Sequence, residues 1–346
     1  MLFRTTGRRF GAVAALAVSF ALIASGCAGS DPTATNGGSN GSGNLTITFL
    51  PKNLGNPYFD TSSQGGKAAV AELSGTFAEV GPSEAAPDSQ VPFIQTAAQQ
   101  GVDALVISAN DPTAVGSALR EAMSAGTKVV TFDSDTDPQY RDLFVNQADA
   151  EGIANVQVEM VAEQIGGSGE IAILSAAANA TNQNAWIELI KEHLKANYPD
   201  ITLVDTVYGD DDDQTSFDKT AALLQTYPNL KGIIAPTTVG IASAARYLST
   251  SNKKGEVAIT GLGTPNQMRE YVEDGTVQEF ALWNPEDLGY LAAFAAAALV
   301  DGTISGEKGD TFTAGKLGEF TVGADQTVLL GDPFRFNKQN IGDFDF

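Results

Sequence analysis

ALVISANDPTAVGSALREAMSAGTKVVTFDSD, residues 104–135, decides the fold. It opens with a short apolar, β-branched run at Ala104–Ser108 and closes with another at Val129–Phe132. Between them, Asp111-Pro112 reads as a helix N-cap followed by proline at the first helical position. Thr113–Ala125 then has helical spacing, and Gly126 ends it. Strand, helix and strand in so short a span is a βαβ unit. Nearly continuous apolar strands of this kind belong to a parallel sheet covered on both faces.

The alternation extends in both directions. Apolar runs recur at Leu45–Leu50, Ile171–Leu174, Ile201–Val207, Gly232–Ala235, Val257–Thr260 and Val277–Leu282. Segments rich in Ala, Leu, Gln and Glu separate them. One set ends near Asn146 and a second starts near Asp149. The pattern predicts an α/β protein of two doubly wound, Rossmann-like lobes joined by a multi-strand hinge. The N-terminal lobe is expected to hold 44–147 with about 284–315, the C-terminal lobe 148–283 with about 316–346. About 300 residues exceed one comfortable core, which also favours two lobes. The less periodic stretch after Gly302 is expected to cross back over the hinge.

Upstream of the first strand lies an export signal. Arg4, Arg8 and Arg9 precede an apolar run from Gly11 to Ala24, then Ser25, Gly26 and the single cysteine, Cys27. A basic segment, a short apolar segment and small residues before a cut describe a signal peptide, here 1–26. The run falls short of the roughly 20 apolar residues of a membrane span. A lone cysteine at this point predicts lipidation of Cys27, although Ala24 stands where the lipoprotein pattern favours Leu. Residues 27–43 then form a tether of small polar residues, a coil spanning roughly 20 Å. The expected location is outside the cytoplasmic membrane, anchored to its outer face or in a periplasm.

Charge narrows the partners. The chain carries −22, and removing Arg4, Arg8 and Arg9 with the signal takes it to −25. Such a charge argues against nucleic acid or anionic lipid and favours a neutral or cationic ligand. One His and one Cys leave no Ser-His or Cys-His pair and no His/Cys metal cluster, so neither a metal nor a cofactor is expected. The acidic run Asp210–Asp213 is expected to cap a helix over Thr215–Tyr227. Nothing suggests an oligomer, and a monomer is expected.

In open α/β sheets, ligands bind beyond the carboxyl ends of the strands. Just past the apolar runs of the first lobe come Lys52 and Asn53, Asn110 and Asp111, and Asp133 and Asp135. The second lobe supplies Asn182 and Gln183, Thr237 and Thr238, Gly263 and Thr264, and Trp283 and Asn284. Carboxylates, amides, hydroxyls and one ammonium suit a small polyhydroxylated ligand. Tyr58, Phe59 or Trp283 would cover an apolar ring face. Single residues in this set can equally be helix caps, so the inference rests on their concentration.

These residues carry a resemblance. FLPKNLGNPYFD (49–60), VVTFDSDTDP (129–138), VNQ (145–147), ATNQNAW (180–186), IIAPTTVGIA (233–242), GLGTPNQMREYVEDGTVQEFALWN (261–284) and FNKQNIGDFDF (336–346) resemble the periplasmic sugar-binding proteins of ABC importers. The likeness is to the type I, ribose-binding-like class, and within it to the rhamnose-binding and autoinducer-2-binding group. It spans nearly the whole chain after the signal. It implies closure of two lobes around one buried sugar, with delivery to permease subunits and no chemistry on the ligand. Against the autoinducer-2 pattern, Lys52, Asp133, Gln183 and Pro236 match, whereas Asn182 stands for an Asp and Thr238 for an Ala. One carboxylate fewer and one hydroxyl more change which ligand satisfies every buried group. The wording around Trp186 and Thr237 is closer to the rhamnose-binding branch. L-Rhamnose or a related deoxy sugar is therefore the expected ligand, and autoinducer-2 the alternative.

A different class also fits part of the chain. VVTFDSDTD (129–137) runs an apolar strand into Asp-x-Asp, as the haloacid dehalogenase-like, Mg²⁺-dependent phosphatases do. The strand comes fourth rather than first, and no placement suits the remaining Thr/Ser and Lys.

Overall fold

The computed structural model describes residues 44–346, so the signal at 1–26, Cys27 with its expected lipid and the tether to residue 43 lie outside the described residues. The first lobe alternates β1 (Thr46–Leu50), α1 (Pro57–Glu72), β2 (Thr76–Glu79), α2 (Val91–Gln100), β3 (Ala104–Ile107), α3 (Gly116–Ser124), β4 (Lys128–Phe132) and β5 (Leu143–Asn146). These strands pair in parallel in the order β2-β1-β3-β4-β5. All of β3 and nearly all of β1 and β4 are buried, as strands covered on both faces must be.

The second lobe continues with α4 (Ala150–Ile165), β6 (Gly169–Ser175), α5 (Thr181–Asn197), β7 (Ile201–Tyr208), α6 (Asp213–Thr226), β8 (Leu230–Ala235), α7 (Thr238–Ser249), β9 (Ala258–Gly261), α8 (Pro265–Glu273) and β10 (Glu279–Leu282). Its parallel sheet runs β7-β6-β8-β9, and a bridge from Leu262 to Ala281 joins β10 to that edge. The chain therefore forms an α/β fold of two doubly wound layers.

Helix α9 (Pro285–Asp301) then returns to the first lobe and packs along α1 and over β3–β5. Two glycines allow that approach. A Cβ on Gly65 would sit 1.9 Å from the Glu286 carbonyl oxygen, and one on Gly289 1.8 Å from that of Ser62. Ala292, Ala293 and Ala295–Ala298 are buried, their small side chains letting α9 lie flat against its neighbours.

Beyond α9 the structure departs from expectation. The N-terminal lobe was expected to end at about residue 315. Instead β11 (Thr311–Thr313) and β12 (Glu319–Thr321) form a hairpin, and β13 (Thr327–Leu329) joins the first sheet beside β5. The Arg141 guanidinium holds this segment by donating to the carbonyls of Asp325 (3.0 Å) and Gln326 (3.4 Å). Only β14 (Phe334–Asn337), antiparallel to β10, belongs with the second sheet. The chain thus crosses between sheets three times, at Asn146–Asp149, Leu282–Pro285 and Leu329–Phe334. Asp149 caps α4 and Asn284 caps α9, so two crossings run straight into a capped helix.

Strands β2 and β5 have no counterpart among the apolar runs read from the sequence. β2 is an exposed edge and needs no apolar run, and β5 alternates buried with half-buried residues instead of being buried throughout. Asp111 does not cap α3 directly. Its carboxylate accepts from the amides of Thr113 and Ala114, closing a turn ahead of a helix that starts at Gly116.

Candidate ligand-binding site

The carboxyl ends of both sheets face one narrow cavity of about 30 Å³. From the N-terminal lobe, Lys52 follows β1 and Asp133 follows β4. Lys52 is 3 % exposed, and its Nζ lies 3.9 Å from Asp133 Oδ2. It also donates across the cleft to Asn182 Oδ1 (3.0 Å) and Gln183 Oε1 (3.3 Å). Asp133 has a left-handed backbone (φ 60°), a conformation that Asp tolerates better than most residues. Its carboxylate accepts from Tyr58 Oη (3.0 Å) and Ser108 Oγ (2.8 Å), and Trp283 Nε1 donates to that Tyr58 oxygen (2.9 Å). Burial pushes the Asp133 carboxyl above its ordinary range, against the opposing pull of Lys52, Ser108 and Tyr58. Burial, then the Asp133 charge, raises the Tyr58 phenol well above its usual value.

Helix α1 delivers the aromatics. Asn56 caps it by accepting from the Tyr58 amide (3.1 Å), and Pro57 fills the first helical position. The first turn then carries Tyr58 and Phe59 into the cavity, their rings edge to face at 5.0 Å. Trp283, on the second crossing, meets Tyr58 and Trp186 edge to face, each at 6.1 Å.

The C-terminal lobe contributes the first two turns of α5, where Gln183 and Trp186 line the cavity. Asn182 stands behind them, 8 % exposed, its amide nitrogen 3.4 Å from the Asp133 carbonyl. Pro236, Thr237 and Thr238 follow β8, Leu262 follows β9 and Leu282 ends β10. Asp211 follows β7 and accepts a hydrogen bond from Thr237 Oγ1. Asp210 and Asp211 are both left-handed (φ 55° and 51°), a consecutive pair of costly conformations at the cavity mouth. Burial raises the Asp211 carboxyl, with Lys52 and Thr237 opposing.

Of the residues selected from the sequence, the structure gathers Lys52, Tyr58, Phe59, Asp133, Gln183, Trp186, Pro236, Thr237, Thr238 and Trp283 around this cavity. Others lie elsewhere. Asn53 lines a neighbouring groove. Asn110 donates to the Lys52 carbonyl (2.9 Å), bracing the loop behind the site, and Asp111 closes its own turn. Both oxygens of Asp135 are held by Arg141 at 2.8–3.0 Å, so Asp133 and Asp135 do not converge on a shared ion as the phosphatase reading requires. Gly263 is packed on Met268, and Asn284 caps α9.

Asn56, Asp211, Leu262 and Leu282 also line the cavity and were not selected. Asp211 could have been found by applying the strand-end rule after Ile201–Val207. The acidic run instead divides its work, since Asp212 is the residue that caps α6.

A sheet-ended cleft between two doubly wound layers, rich in hydrogen-bonding groups, is the architecture of the two-lobed solute-binding fold. The chain belongs to the family described as periplasmic binding protein domain, which matches residues 47–304. A sugar ABC transporter structure from Actinomyces odontolyticus is 55 % identical, covering 87 % of this chain and 98 % of that one, with a TM-score of 0.71. An ABC transporter solute-binding protein from Clostridium phytofermentas with bound L-rhamnose is 39 % identical over 87 % and 98 %, with a TM-score of 0.84. LsrB from Clostridium saccharobutylicum in complex with AI-2 is 27 % identical over 87 % and 100 %, with a TM-score of 0.83. These homologues are solute-binding proteins rather than enzymes.

Proposed function

We propose that this protein is the extracytoplasmic receptor of an ABC importer, capturing L-rhamnose or a related deoxy sugar by lobe closure and presenting it to the permease. The observation that carries the reading is the bonding of Lys52, beside Asp133 in one lobe, to Asn182 and Gln183 in the other. A seated sugar would exchange these bonds for its own. Its hydroxyls donate to Asp133 and Asp211, accept from Lys52 and Thr237, and pair with the Gln183 amide. A ligand bonded to both lobes stabilises the closed form because only that form makes both sets of contacts.

A deoxy sugar suits the apolar part of the wall. Its methyl group would rest among Phe59, Pro236, Leu262 and Leu282. A hydroxyl placed there would go unpaired, costing about 1–3 kcal/mol. The missing carboxylate at Asn182 and the added hydroxyl at Thr238 separate the pocket from the autoinducer-2 pattern. We further propose that lipid on Cys27 retains a monomeric receptor at the outer face of the cytoplasmic membrane.

Calorimetric titration with L-rhamnose, L-mannose (its 6-hydroxy counterpart), autoinducer-2, ribose and xylose tests the reading. One-to-one binding of L-rhamnose at micromolar or tighter Kd, with L-mannose at least about tenfold weaker, is expected. Preference for autoinducer-2 would transfer the ligand to the alternative. No heat from any of the five would refute the sugar class proposed.

A further inference from the structure

Away from the three crossings, hydrogen bonds between the lobes arise in two places among the described residues. One is the ligand cavity, where Lys52 and Asp133 meet Asn182 and Gln183. The other lies outside it, where Asn179 Nδ2 donates to the backbone carbonyl of Asn110 at 2.8 Å. Neither Asn179 nor Asn110 lines the cavity. Each is braced within its own lobe. Before α5, the Ala180 amide donates to the Ala177 carbonyl (3.1 Å), and Asn184 Nδ2 donates to that of Ala178 (2.9 Å), closing the turn that carries Asn179. Across the cleft, the Asn110 amide donates to Gln90 Oε1 (2.9 Å). Gln90 is fully buried and donates in turn to the carbonyls of Ser108 (2.8 Å) and Pro51 (3.0 Å). Both ends are therefore fixed, and the bond between them forms only when the lobes meet.

We propose that Asn179 is a latch, a positioning residue that holds the lobes closed over the sugar without touching it. The proposal rests on the sugar-capture reading. The two ties between the lobes answer a ligand differently. A seated sugar exchanges the Lys52 bonds for its own, whereas the Asn179 bond needs no ligand atom and outlasts that exchange. Asn110 also donates through Nδ2 to the Lys52 carbonyl (2.9 Å), so the latch grips the loop that presents the ammonium group. Its free energy adds to closure by the same amount whichever sugar is enclosed. Such a contact slows the escape of every ligand alike and leaves the choice among ligands to the cavity wall. Because it forms only as the lobes meet, it acts on release rather than on encounter.

Trp186 and Trp283, the chain's two tryptophans, both line the cavity, so stopped-flow tryptophan fluorescence follows capture and release. The test compares the wild type with Asn179→Ala, each with L-rhamnose and with L-mannose. Loss of the one hydrogen bond should speed release of both sugars by a common factor of about three to ten. Association rates should stay within about twofold of wild type, and the preference for L-rhamnose over L-mannose should not change. A folding defect would instead lower the number of binding sites and the midpoint of a denaturant melt, and both should match the wild type. Release from Asn179→Ala at the wild-type rate would overturn the latch and leave sugar capture standing. Faster release confined to one sugar would also overturn it, since that would make Asn179 a ligand contact. A wild type that binds neither sugar would refute the sugar reading and the latch with it.

Discussion

Asp133 in the N-terminal lobe and Asp211 in the C-terminal lobe occupy equivalent places. Each follows a parallel strand, each is left-handed, and each lines the same cavity. Their surroundings differ. Asp133 is held by Ser108 and Tyr58 from its own lobe, with Lys52 3.9 Å away. Among the described residues, Asp211 is bonded through its side chain to Thr237 alone, and it also borders an adjoining acidic groove. Both carboxylates are desolvated, but Asp133 is tied into its own lobe by more side-chain bonds than Asp211. Under the proposed function, the difference predicts that substitution at Asp133 weakens sugar binding more than substitution at Asp211.

The largest expected effect is at Asp133. Asp133→Asn keeps the shape and tolerates the left-handed backbone, but leaves Lys52 without its nearby counter-charge. Loss of one partner from a buried charged pair costs about 2–5 kcal/mol, so L-rhamnose affinity should fall roughly 100-fold by calorimetry. Asp211→Asn should cost less, about 1.4 kcal/mol or tenfold, because fewer groups depend on it. An equal or greater loss at Asp211 would break the comparison between the walls.

Acidification sharpens it. Burial raises both carboxyls, so between the ordinary carboxylate pKa and the raised folded value the native state binds more protons than the unfolded one. Their contribution to stability is therefore fully present below the ordinary value and is lost as pH rises through the raised one. Ligand capture needs the ionised forms and runs the other way. The stability difference between wild type and the Asp133→Asn/Asp211→Asn double variant, followed by denaturant melts, should shift toward wild type as pH falls. Sugar affinity of the wild type should weaken over the same interval. Parallel movement of the two would contradict the burial account. The smallest effect is at Asp111→Ala, which should cost about 1 kcal/mol of stability in a denaturant melt and leave sugar affinity unchanged.

How far the sequence could be read depended on what each residue follows. Lys52 and Asp133 come directly after strongly apolar strands, and the strand-end rule placed both at the cavity. Asp135 shares the same DSD motif, but the left-handed turn at Asp133 sends it toward Arg141, a partner that nothing in the local pattern announces. Asp211 was hidden in a run of four acids that reads as helix capping. In the structure, Asp212 caps α6, Asp213 pairs with Arg246 and only Asp211 reaches the cavity. Three-residue β13 is legible only through its pairing with β5, which is why the last crossing lies nearer the C-terminus than the tail's composition suggested. Local propensity located the strand ends. Long-range pairing decided which of the polar residues there meet.

Small-angle X-ray scattering during titration with L-rhamnose tests two-lobe capture most directly. A radius of gyration that falls and saturates together with the calorimetric binding curve is the predicted result. A calorimetrically saturated protein whose radius of gyration has not changed would contradict it.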